Sequence, residues 1–267
     1  MNPLFGTPDT FPLDAVVPAP WQLVFTIAFG IPAFAFCIYA IYLLIKEKDL
    51  VPLLIMIGAA IATYEEPIVD VLAKCWWPAV GQWTAIEAFD RPIPWLCVFA
   101  YMAYYGGMVI LLARAFEKGV SRKQFFTVFY IAIIANVAME PIPLNLGLWM
   151  YYGDQPFAIF GYPLYWPVNN ALAAMVTATL IYKLRPHLRG FSLLLLLPLV
   201  LTGNLISNAA VMWPVWTALN WPYGYAATIP AALLTFALCA AAARVLATIV
   251  ATNRVSESIS PGSPHPA

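Results

Sequence analysis

Seven apolar stretches, each about twenty residues long, constrain this chain more than any other feature. They run over residues 20–45, 50–72, 93–116, 124–148, 166–183, 191–213 and 223–247. An α-helix rises about 1.5 Å per residue, so about twenty residues cross the ~30 Å hydrocarbon layer of a bilayer. Inside that layer the backbone must satisfy its own hydrogen bonds, and helices do so segment by segment. The composition agrees, with 63% hydrophobic and 10% charged residues, against about 45–50% and about 25% in soluble domains. The expected fold is all-α: a polytopic membrane protein of seven transmembrane helices. Its membrane domain covers 20–250, between an extracytoplasmic N-terminal segment (1–19) and a Ser/Pro tail (251–267) that reads as disordered and cytoplasmic.

Basic residues orient the spans. Eleven of the thirteen Lys and Arg residues follow spans 1, 3, 5 and 7, which leaves Lys74 and Arg91 opposite. The N-terminus is expected outside and the C-terminus inside a plasma membrane. Thirteen acidic residues balance the thirteen basic ones, so no basic field exists to hold nucleic acid. The partners expected are membrane lipid and a lipophilic small molecule. His187 and His265 lie in polar segments, which removes an HExxH site, a haem ligand and a Ser-His-Asp triad from the membrane. The four cysteines form no CxxC and read as packing residues, although Cys75 and Cys97 could approach one another outside the membrane. No metal or organic cofactor is expected. A retinal Schiff base is excluded as well, because the last lysine, Lys183, stands at the inner edge of span 5.

Comparison of the spans with one another reveals a repeat. Span 2 ends in Tyr64-Glu65-Glu66-Pro67-Ile68 and span 4 in Ala138-Met139-Glu140-Pro141-Ile142. Each is followed by an aromatic stretch (Cys75-Trp76-Trp77-Pro78; Leu148-Trp149-Met150-Tyr151-Tyr152) and a Gly-(Asp)-Gln turn. A proline-aromatic return follows, through Trp95 in one copy and Trp166 in the other. Span 6 supplies a degenerate third copy, with Asn204, Asn208 and Trp213-Pro214. Glu66, Glu140 and Asn208 stand 18, 17 and 19 positions beyond the last basic residue of their hairpins. That is roughly 25–29 Å of helix, just inside the outer edge of the hydrocarbon. The chain therefore reads as one leading helix plus three hairpins whose outer ends form a polar, aromatic-rimmed cup. Interfacial Trp and Tyr belts on unrelated hairpins are the plainer account. The shared Glu-Pro dipeptides and Gly-(Asp)-Gln turns favour the repeat.

Carboxylates within spans carry the chemistry. An ionisable side chain costs about 2.5–3.5 kcal/mol at a helix centre and less near the interface. Glu66 and Asp70 share a helix face, as do Asn136 and Glu140 and the pair Asn204 and Asn208. Glu65 lies about 100° around the helix from Glu66. Pro67 and Pro141 remove backbone donors, so each glutamate sits at a kink where freed carbonyls can order water or substrate. Interfacial glutamates paired with Lys74, Arg91 or backbone are the bland alternative. Tyr101, Tyr104 and Tyr105 read either as helical core or as a ring lining the cup. The expected catalytic set is Glu66 as proton donor, Asp70 as relay and Glu140 as ionised partner. The expected substrate-binding set is Glu65, Trp77, Trp95, Tyr101, Tyr105, Asn136, Trp149, Trp166, Asn169, Asn204 and Asn208.

The run Glu65-Glu66-Pro67-Ile68-Val69-Asp70, with Cys75-Trp76-Trp77-Pro78, Gly81-Gln82-Trp83 and Arg91-Pro92-Ile93-Pro94-Trp95, resembles the avermectin-type spirocyclase (AveC-like) membrane proteins of actinobacteria. Ala100-Tyr101-Met102-Ala103-Tyr104-Tyr105-Gly106-Gly107-Met108 extends the likeness into span 3, and its looser part reaches about residue 250. Asp90 departs from it by standing where a small residue is expected before Arg-Pro. The resemblance implies acid-type closure of a dihydroxy-ketone polyketide into a spiroketal, with a related dehydration in some members. Such chemistry needs a proton donor, an anion near an oxocarbenium ion and a proton acceptor, which carboxylates in an apolar pocket supply. A membrane terpene cyclase is the nearest alternative. A proton-coupled transporter or lipid carrier and a non-catalytic scaffold are the more distant ones.

Overall fold

Prolines mark three breaks in the membrane helices, while Pro32 and Pro230 lie within the continuous helices at Ala19–Glu47 and Tyr225–Ala251. In this computed structural model, which describes residues 8–251, α1 (Ala19–Glu47) admits Pro20 in its first turn and ends at Lys48 in the left-handed conformation. In α2 (Val51–Ala62) the Val51 N–H donates to Asp49 Oδ1 at 3.1 Å. Pro67 can neither donate to the Thr63 carbonyl nor let it approach. The chain tightens there into a 3₁₀ turn, Thr63–Glu65, before α3 (Glu66–Ala73). Next come β1 (Cys75–Trp76), β2 (Thr84–Ala88), β3 (Arg91–Pro94), α4 (Trp95–Tyr101), a π-helical segment at Met102–Met108 and α5 (Val109–Glu117).

A reciprocal cap starts α6 (Arg122–Met139): the Gln124 N–H donates to Ser121 Oγ at 3.2 Å and the Ser121 N–H to Gln124 Oε1 at 2.8 Å. Pro141 then separates it from α7 (Pro141–Asn145). After β4 (Met150–Tyr151), β5 (Ala158–Ile159) and β6 (Tyr162–Pro163) come α8 (Tyr165–Leu184) and α9 (Leu196–Val211). Pro214 repeats the break before α10 (Trp213–Leu219), and α11 (Tyr225–Ala251) closes the bundle. Each outgoing helix of the three hairpins is thus broken by a proline near its C-terminal end.

Six helical stretches are long and apolar enough to cross a membrane: Ala19–Glu47, Val51–Ala73, Trp95–Glu117, Arg122–Asn145, Gly190–Val211 and Tyr225–Ala251. The molecule is an all-α polytopic membrane protein. The remaining expected span corresponds to α8, which is 20 residues long but is not among the six. The reason is its position. α8 packs against α5, α6, α9 and α11, and a helix sheathed in protein can carry Asn169, Asn170 and threonines that lipid contact would penalise. Contact is close there: a Cβ on Gly203 of α9 would lie 2.5 Å from Thr177 Oγ1 of α8.

The two ends of the bundle differ. At one end Arg114 bonds Glu47 at 2.9 Å, and Arg185 bonds Asp49 at 2.8 Å and Glu117 at 2.5 Å, tying three interhelical connections together. At the other end three short antiparallel ladders, β1–β4, β2–β3 and β5–β6, modify the all-helical expectation. The first joins two hairpins, pairing Cys75 with Tyr151 and Trp76 with Met150. Gln155 donates to the Ala73 carbonyl at 2.8 Å and Asn220 to the Leu72 carbonyl at 2.8 Å, so the second and third hairpins both cap the end of α3. The described part of the N-terminal segment packs onto this end. Phe11 stacks on Trp76 with centroids 4.3 Å apart, and Val17 N–H donates to the Val80 carbonyl at 2.9 Å. Beyond residue 251 the expected tail lies outside the described residues.

Candidate functional site

Helix breaks turn the carboxylates inward. Where α3 restarts after Thr63–Glu65, Glu66 and Asp70 occupy one face, and Glu140 stands at the join of α6 and α7. All three line one cavity of about 350 Å³. Of the residues expected to bind substrate, Trp77, Tyr101, Tyr105, Asn136, Trp149, Trp166 and Asn208 line it too. Phe29, Pro32 and Phe36 of α1, together with Leu96 and Ala100, make much of the rest apolar. Among the described residues, the four ion pairs all lie at the opposite, arginine-rich end. Among these residues no Lys or Arg therefore sits within 4.0 Å of the cavity carboxylates; neither Lys74 nor Arg91 forms an ion pair with them, although Arg91 stands near enough to act on Asp70 electrostatically.

Tyrosines and amides hold the carboxylates instead. The Tyr101 hydroxyl lies 2.6 Å from Glu66 Oε2 and 3.4 Å from Glu65 Oε1, so one hydroxyl bridges two adjacent carboxyl groups. Asn170 Nδ2 donates to Glu140 Oε1 at 3.3 Å and to Asn136 Oδ1 at 3.2 Å, while its own Oδ1 accepts from Tyr105 Oη at 3.2 Å. Asn136 in turn donates to Tyr104 Oη at 3.2 Å. The π-helical segment presents Tyr104 and Tyr105 next to Tyr101, with edge-on ring contacts at 5.0 and 5.1 Å. Such segments recur where a helix face is re-aimed for function. Gly107 permits the packing here, since a Cβ on it would fall 2.0 Å from the Phe36 ring.

Four expected binding residues lie elsewhere. Trp95 is 48% exposed and packs on Phe99, its ring turned outward at the start of α4. Glu65 is buried behind the wall, where it accepts from Asn204. Asn169 donates to Asn208 Oδ1 at 2.6 Å and accepts from Ser207 Oγ at 3.0 Å, which commits it to the α8–α9 contact. Asn204 is spent on Glu65. A step of 100° separates Asn169 from Asn170, and Asn170 is the one that reaches the cavity. Its spacing of four from Trp166 was the signal available in the sequence. Tyr104 likewise lines the cavity, as do Cys75 and Cys97, whose thiols lie beside Asp70 and Glu66 respectively. Both cysteines are free thiols.

The expected open cup has a roof. Trp77 and Trp149, contributed by different hairpins, pack on one another with centroids 4.9 Å apart and planes tilted by 38°, and are each 5% exposed. Over them Arg91 lies against the faces of Phe11 and Trp76 at 5.1 and 5.0 Å and donates to Tyr152 Oη at 3.2 Å. Burial pushes the Cys75 thiol well above its ordinary range, and the neighbouring Asp70 adds to this, so it faces that carboxyl as a donor. Burial, with Glu140 nearby, does the same to the Tyr162 hydroxyl. Among the described residues no cluster of three His, Cys, Asp or Glu side chains is arranged to hold a metal. No protein family, curated protein or solved structure matches this chain.

Proposed function

We propose that this chain is a seven-span, cofactor-independent acid–base cyclase or dehydratase acting on a lipophilic oxygenated molecule. The observation that carries this reading is the convergence of Glu66, Asp70 and Glu140, none of them ion-paired to a described Lys or Arg, on one aromatic-walled cavity. Carboxyl groups kept from cations can exchange protons with a bound molecule instead of being held as permanent anions. In this reading α8 is the seventh span, and the arginine-rich end faces the cytoplasm of a plasma membrane with the roof outside.

The likeness to the avermectin-type spirocyclases suggests spiroketal closure as the reaction. One hydroxyl of a dihydroxy-ketone adds to the carbonyl to give a hemiketal. Glu66, held by Tyr101, protonates the hemiketal hydroxyl, which leaves as water. The tyrosine faces and nearby carboxylates steady the oxocarbenium ion. The second hydroxyl then attacks, and Glu140, positioned by Asn170, accepts its proton. Asp70 relays that proton back to Glu66, so the net change is a substrate closed with loss of one water. Dehydration uses the same donor and acceptor. A terpene cyclase is the second reading, favoured by the three-tyrosine wall, which suits a hydrocarbon cation.

The test is turnover of long-chain dihydroxy-ketones, with isoprenoid epoxides in parallel, by vesicles containing the full chain. Glu66→Gln and Glu140→Gln keep shape and should each cut turnover by about 10²–10⁴-fold with folding intact, the usual worth of general acid–base catalysis. Wild-type turnover by both variants would overturn the mechanism and leave a carrier as the better reading.

A further inference from the structure

The cavity is closed where water would reach it and thin-walled where lipid would. Its outer side carries the Trp77–Trp149 contact and the β1–β4 ladder. On the flank, α6 has α8 and α11 as its principal packing partners, whereas α1 lies on α2, α4 and the π-helical segment. A seam runs between these two groups of helices. Cavity-lining residues surface along it: Ala135 is exposed and Met139 is 58% exposed, facing the half-buried Ala100 and Ala103. A residue that lines a cavity and is also more than half exposed stands at its mouth. On a membrane helix that exposure is to acyl chains. Small side chains keep the mouth wide, and the Tyr104–Asn136 hydrogen bond ties the seam on its inner side. Pro32, which lines the same cavity on α1, removes a helical hydrogen bond to the Ala28 carbonyl and gives that helix local freedom to bend.

Volume completes the argument. About 350 Å³ is near the small end of ligand pockets, which run about 300–1,000 Å³. It holds the reacting head of a molecule and leaves a long tail outside. We propose that the seam between α6 and the Ala100–Tyr104 stretch is a lateral portal, through which a single-chain amphiphile inserts an oxygenated head from the bilayer while its tail stays in lipid. The inference rests on the proposed function only for the oxygenated character of the head.

The probe is a long-chain hydroxy-ketone bearing a photoactivated diazirine beside the ketone. It is incorporated into vesicles with the full-length protein, and labelled residues are mapped by mass spectrometry. Labelling is expected at Glu66, Tyr101 and Glu140. Met139→Trp fills the mouth from a position that faces lipid, so it should fold normally and lower cavity labelling at least fivefold. Ala135→Phe should do the same. Phe11→Ala loosens the roof from outside the cavity lining and should leave labelling by the bilayer-borne probe within twofold. Absence of cavity labelling in the wild type, equal labelling in both mouth-filled variants, or faster labelling by a short water-soluble hydroxy-ketone carrying the same diazirine would overturn the portal. The readout requires no turnover. A portal that labels as described in a protein that converts no substrate would count against the enzyme reading alone.

Discussion

The two ends of this bundle use the same residue types in opposite ways. At the arginine-rich end, Glu47, Asp49 and Glu117 are matched by Arg114 and Arg185 within 2.5–3.7 Å. Those charges fasten interhelical connections and stay partly solvated. At the roofed end no described Lys or Arg lies within 4.0 Å of Glu65, Glu66, Asp70 or Glu140; Tyr101, Asn170 and Asn204 bond the three glutamates, and the Cys75 thiol lies beside Asp70. A carboxylate fixed to a guanidinium is held anionic and does no proton chemistry near neutral pH. One held by hydroxyls and amides can bind or release a proton according to what lies beside it. The contrast locates function by electrostatics before any substrate is known.

The sharpest way to break the comparison is to make one chemical change at both ends. Glu66→Gln should cost about 10²–10⁴-fold in turnover, whereas Glu117→Gln should leave turnover within twofold. Similar losses at both positions, measured in the same vesicles, would mean that the unpaired end has no special role.

The next effect is mechanical and confined to the roofed end. Gly107→Ala drives a methyl group to 2.0 Å from the Phe36 ring. The π-helical segment or α1 must then move, at a cost toward the upper end of about 1–3 kcal/mol for overpacking. Reversible unfolding in bilayers would read this as a lowered stability, and cavity labelling would fall with it. An unchanged stability would show that α1 is free to shift, and the tyrosine wall would then owe nothing to Gly107.

A smaller effect probes the polar contact behind the wall. Asn204→Leu keeps volume but strips Glu65, 1% exposed, of its amide donor. The expected cost is about 1–3 kcal/mol for a buried polar group left short of a partner. Glu65→Gln should be milder, because it keeps an acceptor for Asn204 and supplies a donor to the otherwise unpartnered Asn204 Oδ1. Equal losses from the two variants would place Glu65 among charges that must stay ionised.

Particular residues mark what the sequence made legible. Apolar length located the six long spans, and the Glu-Pro dipeptides located the breaks that turn Glu66 and Glu140 inward, because both signals are local. α8 was harder to classify by composition, since 13 of its 20 residues are buried and its environment is protein. The ladders have no signature in the sequence, because two-residue strands such as β1 and β4 carry no alternation. Trp95 and Asn169 were misplaced for the same geometric reason. A turn of 100° per residue decides which neighbour faces a cavity, and an aromatic or an asparagine suits either side. The roof was invisible because it depends on Phe11 meeting Trp76 across 65 positions, a contact no local pattern encodes.

The smallest effect tests the other side of the comparison. Arg185 bridges Asp49 and Glu117 with its side chain 30% exposed. Exposed ion pairs are usually worth about 0–1 kcal/mol, because solvent screens them and ordering long side chains costs entropy. Arg185→Gln should therefore lower stability by less than about 1 kcal/mol, and 1 M salt, which shortens the screening length to about 3 Å, should erase most of the difference. Asp49 sits at the centre of the network and is only 10% exposed, accepting from Arg185 at 2.8 Å with Arg114 at 3.7 Å. Asp49→Asn should thus cost more than Arg185→Gln and should be less sensitive to salt. It also removes the carboxylate that accepts the Val51 N–H at the start of α2, though the asparagine carbonyl can take that bond. Should Arg185→Gln destabilise the bundle as much as Asn204→Leu does, the arginine-rich end would be as finely balanced as the cavity. Unpaired charge would then no longer distinguish the two.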